Sequence, residues 1–118
     1  MEFVSKQQTY EATRKLLLET AAHTGDTNME DVARNMQMDG DHSRLPALYQ
    51  RFLDTLTADP LEPQDALAAA AEFMEKNVDA QGKPQVAQLV HSAKATAEDP
   101  EKGDTSLWNH WIELLASV

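Results

Sequence analysis

The chain has 118 residues, no cysteine, and 20 acidic against 10 basic side chains, for a formal charge of −10 at pH 7. Without cysteine there are no disulfides and no thiolate metal ligands, which points to a reducing compartment. The negative excess opposes approach to nucleic-acid phosphates and anionic membranes, and it favours a basic protein partner.

The hydrophobic fraction of 42% fits a globular chain, and this length suffices for a self-contained core. Much of that fraction is alanine and aromatics are only 6%. A thin core of close helix contacts, without a large aromatic cluster, is therefore expected. The longest apolar run, Ala66 to Ala71, falls far short of the ~20 residues of a membrane helix. The first twenty residues carry Lys6, Glu11, Arg14, Lys15 and Glu19, a pattern unlike a signal peptide. A cytoplasmic protein is the expectation.

In chain order, the spacing predicts a first helix from about Phe3 to His23, ending near Gly25. Phe3, Tyr10 and Leu17 recur every seven residues, Leu18 and Ala21 widen the stripe, and Glu11, Lys15 and Glu19 form an ion-pair ladder opposite. A short second helix runs from Met29 to Met36 or Met38. Thr27 and Glu30 have the spacing of a capping box at its start. Asp39 to Ser43 reads as loop. The third helix, Leu45 to Thr57, carries Leu45, Leu48, Tyr49, Phe52, Leu53 and Leu56 on one stripe. Pro46 suits its first turn, and Asp59-Pro60 follows its end.

The fourth helix, Pro63 to Val78, sets Leu67, Ala70, Ala71, Met74 and Val78 on one arc. Glu62, Asp65, Glu72, Glu75 and Asp79 lie broadly opposite, interrupted by Lys76, with Phe73 between the arcs and expected to be partly exposed. The fifth helix, Pro84 to Ala97, has Val86, Leu89, Val90, Ala93 and Ala97 as its stripe. An acidic turn follows, with Glu98, Asp99, Glu101 and Asp104. The last helix starts near Thr105 or Ser106, with Leu107, Trp108, Trp111, Ile112, Leu115 and Val118 on one arc. Asn109, His110 and Glu113 face away. No segment has the alternation of a strand. The fold expected is all-α: one domain over residues 1–118, a bundle of about five to six mostly antiparallel helices with short loops.

Candidate chemistry is sparse. His23, His42, His91 and His110 match no metal-binding spacing. Asp39, Asp41 and His42 are the densest group of ligand types, but the loop offers too few ligands for calcium and an ordinary Asp/Gly turn is the preferred reading. Asn77, Asp79, Gln81, Gly82 and Gln88 imitate a helix–loop–helix calcium loop. Gln88 lacks the bidentate carboxylate and Pro84 interrupts the loop, so helix termination with Gly82 near the C′ position is the simpler reading. No nucleophile elbow is present. Trp108 and Trp111 read as core anchors, and Met29, Met36 and Met38 as core filling beside a loop. No metal, cofactor or catalytic residue is assigned.

The function expected is a small acidic, non-enzymatic protein-binding module (an inhibitor, immunity-type, adaptor or regulatory protein) that docks a more basic partner. Its contact groups would be Glu62, Asp65, Glu72, Glu75, Asp79, Asp99, Glu101 and Asp104. Acidity that serves solubility alone explains the composition as well. The alternative is a self-assembling helical bundle, with Phe73, Leu16 and Leu18 as a second apolar face. A nucleic-acid mimic is disfavoured because Arg14, Lys15, Arg34, Arg44, Arg51, Lys76 and Lys94 dilute the carboxylates. An enzyme would need a site assembled from scattered residues.

Overall fold

The computed structural model describes residues 3–40 and 42–118, and for His42 and Ser43 the backbone alone. Helices dominate: α1 Lys6–Thr24, α2 Thr27–Asn35, α3 Pro46–Leu53, α4 Pro63–Asn77, α5 Pro84–Glu98 and α6 Thr105–Ser117. The fold is all-α. The segment expected as loop contains a minute antiparallel pair, β1 Met38–Asp39 with β2 His42–Ser43, in which Met38 faces Ser43 and Asp39 faces His42. Gly40 turns it with φ 66°, a left-handed conformation that a side chain would resist.

Local chemistry explains most helix boundaries and corrects four of them. At the start of α1 the Ser5 hydroxyl accepts from the Gln8 N–H, and the Gln8 side chain accepts from the Ser5 N–H. This capping box leaves Phe3 outside the helix and off the buried stripe. Gly25 closes α1 at φ 75°, donating its N–H to Ala21 O. Asp26, rather than Thr27, caps α2: its carboxylate accepts from the Met29 N–H at 3.0 Å. It stands one residue before the helix, where an Asx side chain reaches the third amide. Glu30 instead pairs with Arg34 at 2.6 Å. α3 ends at Leu53, four residues before the predicted limit, and the Thr55 hydroxyl then bonds Phe52 O at 2.6 Å. α4 and α5 begin at Pro63 and Pro84 as predicted. α4 ends at Asn77, with Val78 already extended, so Gly82 (φ 71°) shapes the following turn and is not the C′ residue of α4.

α4 is the centre of the packing, in contact with α1, α3, α5 and α6. Its burial is therefore wider than one arc. Ala66, Leu67, Ala69, Ala70, Ala71, Phe73 and Met74 are all buried. Phe73, expected at the edge, is 0% exposed because α3 and α1 close over it. Of the residues suggested as a second apolar face, Phe73 and Leu16 are buried in the core and Leu18 is half-buried. α5 runs antiparallel to α4, and α6 antiparallel to α1. Gln64 at the start of α4 bonds Glu98 at the end of α5, and α1 reaches α6 through Gln8 to Leu115 O and Glu19 to His110.

The core is also more aromatic than composition suggests. Four of the seven aromatic residues meet where α1, α3 and α4 join. Ring centroids are 4.7 Å apart for Tyr10–Tyr49, 5.1 Å for Tyr10–Phe52, 5.3 Å for Phe52–Phe73 and 6.4 Å for Tyr10–Phe73. The steep interplanar angles of the Phe52–Phe73 and Tyr10–Tyr49 pairs set positive ring edges against negative faces. Trp111 is fully buried and donates its indole N–H to Pro63 O at 3.0 Å, fastening α6 to the first turn of α4. Met29 and Met36 are buried and Met38 is half-buried against the core, as core filling requires. Leu45 and Val118, placed on apolar arcs by periodicity, are 42% and 37% exposed, whereas Leu114, absent from the predicted arc, is buried.

Two substitutions test this packing by urea denaturation. Phe73→Ala should destabilise the fold by about 3–5 kcal/mol, since it removes a ring from a closed cluster. Gly103→Ala should cost about 1–3 kcal/mol, because a Cβ there would lie 2.5 Å from the Thr96 Cα.

Candidate functional site

The carboxylates singled out in the sequence do not form one face. Asp65 and Glu75 are separated by about 15 Å along α4, at 1.5 Å of rise per residue, and the structure treats the two ends differently. Glu72 pairs with Lys76 at 2.8 Å, and Glu75 pairs with Lys94 of α5. Asp79 accepts from the Gln81 N–H at 3.0 Å, and its own N–H donates to Asn28 Oδ1 at 2.9 Å. Glu72 and Glu75 are thus paired with cations, whereas Asp79 has a turn bond but no ion pair among the described residues.

The other end differs. Antiparallel packing sets the first turn of α4 beside the last turn of α5, with Gln64 Nε2 donating to Glu98 O at 3.2 Å. The Trp111 bond to Pro63 O brings α6 to the same place. Glu62 and Asp65 are thereby gathered with Glu98, Asp99, Glu101 and Asp104, although more than thirty residues separate the two groups in the chain. The turn that carries the second group is pinned. Asp99 Oδ1 accepts from the Glu101 N–H at 3.1 Å, Gly103 N–H donates to Asp99 O at 2.8 Å, and Asp104 N–H donates to Thr96 Oγ1 at 2.9 Å. Asp104 also caps α6, accepting from the Leu107 N–H at 3.1 Å.

Asp59 joins this end, a carboxylate that periodicity alone treats as a helix terminator. It accepts the Lys6 N–H at the start of α1 at 3.3 Å. Its charge, after burial, is the second influence that pushes the Tyr49 hydroxyl above its usual pKa. Of these seven carboxylates, Asp59, Glu62, Asp65, Glu98, Glu101 and Asp104 are exposed and Asp99 half-exposed. Among the described residues none of the seven is in an ion pair.

Elsewhere compensation is partial: Asp31, Asp39, Asp54 and Asp79 are exposed and in no ion pair among the described residues, while other carboxylates are paired. Glu11 pairs with Arg14 at 3.8 Å, and Asp26 with Lys83 at 3.3 Å. His110 Nε2 meets Glu19, and its Nδ1 lies 3.8 Å from Glu113. His23 sits exposed in the last turn of α1, and His91 is exposed on α5. Among the described residues no three His, Asp or Glu side chains are placed to hold a metal ion. Asp41 lies outside the described residues, as does the side chain of His42. No helix among the described residues is long and apolar enough to cross a membrane. Surface grooves, such as the one lined by Glu75, Ala80, Val90, His91 and Lys94, measure about 290 Å³ to 330 Å³, at the lower limit of small-molecule sites.

Comparison with protein-family models, with curated proteins and with solved structures finds no match.

Asp26 offers a pH test of the helix-end electrostatics. The Met29 N–H, and then Lys83, hold its carboxyl below the usual 3.8 against the opposing effect of burial. A depressed carboxyl pKa stabilises the fold fully above the unfolded value, and this contribution is lost as pH falls through the folded value. Asp26→Ala should therefore cost about 1 kcal/mol at neutral pH, by urea denaturation. The gap from the parent protein should close as pH drops below 3.8.

Proposed function

We propose that this is a protein-binding module whose docking surface is the acidic end of the bundle, and that its partner presents a basic surface. The observation that carries this reading is the convergence of Asp59, Glu62, Asp65, Glu98, Asp99, Glu101 and Asp104 from three stretches of chain, with none of them in an ion pair among the described residues. Had the acidity served solubility alone, its carboxylates would be dispersed. Here seven of the unpaired carboxylates belong to one end, and Asp31, Asp39, Asp54 and Asp79 are the unpaired ones elsewhere among the described residues.

Grouped like charges raise the free energy of the isolated protein through mutual repulsion, and a cationic surface relieves that repulsion on binding. Such a surface acts chiefly on encounter and on partner choice: it accelerates association with a basic protein and repels acidic ones. The rigid turn at 99–104 and the Trp111 tie to Pro63 hold the carboxylates in a fixed array, which lowers the ordering cost of docking. Glu72 and Glu75, paired with Lys76 and Lys94, would contribute less.

The test begins with a partner recovered by co-purification at low salt. Association rates are then measured against the parent protein and two reversal variants. Combined Glu62→Lys, Asp65→Lys and Glu101→Lys should slow association about tenfold or more at low ionic strength. Glu72→Lys with Glu75→Lys should have a smaller effect, and added salt should erase the difference between all three. A partner whose association rate ignored both salt and the first variant would overturn the reading.

A further inference from the structure

Phe3 is the most exposed large hydrophobic side chain among the described residues, at 60%. Its position is imposed by the backbone. Val4 and Leu61 form an antiparallel bridge, exchanging N–H to O bonds of 2.7 and 2.8 Å, and both side chains are 1% exposed. Side chains alternate across an extended pair. With Val4 and Leu61 turned inward, the next pair in register, Phe3 and Glu62, is turned outward. The Ser5–Gln8 capping box that begins α1 follows directly, so the chain is fixed immediately after Phe3 by the bridge and by the helix start.

The register of the bridge sets Phe3 across from Glu62. Asp65 lies three residues beyond Glu62 in the first turn of α4. This combination selects a particular side chain. An aliphatic surface would bury the ring at the expense of desolvating the carboxylates. An ammonium would pair with a carboxylate but is strongly hydrated. A guanidinium is planar and weakly hydrated, stacks on an aromatic face and still offers N–H donors to a carboxylate at its edge.

We propose that Phe3 is the aromatic anchor of the acidic end, receiving an arginine side chain from a basic segment of the partner protein, with Glu62 as the paired carboxylate. This rests on the protein-binding reading above and specifies the chemistry of the partner. Charge complementarity sets the sign of the occupant, and the exposed ring distinguishes arginine from lysine.

Hexa-arginine and hexa-lysine peptides serve as probes, titrated into the isotope-labelled full chain and followed by NMR. Hexa-arginine should bind the more tightly and shift the Phe3 ring and Glu62 amide signals. Phe3→Ala should weaken hexa-arginine by about two- to fivefold and hexa-lysine by less, and Phe3→Tyr should restore the preference. Because Phe3 is exposed, Phe3→Ala should leave the melting temperature nearly unchanged, which separates a lost contact from a lost fold. Equal affinity of Phe3→Ala and parent for hexa-arginine overturns the anchor. In that case, binding that is still abolished by the Glu62, Asp65 and Glu101 reversals leaves the acidic end standing. Binding indifferent to those reversals sinks both.

Discussion

The organisation of this protein depends on the burial of α4 among four other helices. A helix enclosed on so much of its circumference needs small side chains where neighbours come close, and Ala66, Ala69, Ala70 and Ala71 provide them. It also needs a few large ones to fill the space between axes, which Leu67, Phe73 and Met74 supply. Dispersion across such closely packed contacts is individually weak and collectively large. Once α4 is fixed, the rest is positioned by it: α5 lies antiparallel along it, α6 is fastened through Trp111, and α3 and α1 close the aromatic cluster over Phe73.

That same packing distributes the charge. Polar residues on α4 survive only along the narrow stripe left uncovered. Along this stripe the C-terminal carboxylates meet Lys76 and Lys94, while those at the N-terminal end meet more carboxylates from the turn after α5. Exposed pairs such as Glu72–Lys76 contribute only about 0.2–1 kcal/mol each. Their larger consequence is to offset charge locally along the C-terminal half of α4, while the carboxylates at its N-terminal end are left without a paired cation among the described residues.

Much of the helical content was legible in the chain. Prolines at 46, 63 and 84 mark first turns because a missing N–H costs nothing there, and each helix starts where its proline predicts. Gly25 ends α1 for a local reason as well. Other signals were local and were missed: the Ser5–Gln8 box excludes Phe3 from α1, and Asp26 stands one residue ahead of the Thr27–Glu30 pair. Phe73 was misplaced for a different cause. Periodicity assigns one apolar arc per helix, and it has no means of registering that α4 is covered on several sides. The aromatic cluster was hidden in the same way, since 6% aromatics says nothing about where they gather.

The acidic end divides in the same manner. Sequence alone determined the excess of carboxylates, the helices that bear them, and the exposed stripe of α4, because charge count and 3.6-residue periodicity are properties of the chain. Tertiary structure decided which carboxylates are compensated and which stand together. Glu75 meets Lys94 across nineteen residues, and Asp65 is brought to the Glu98–Asp104 turn across more than thirty, both because α5 runs antiparallel to α4. Coulomb energy depends on distance in space, and distance in space is what the fold supplies.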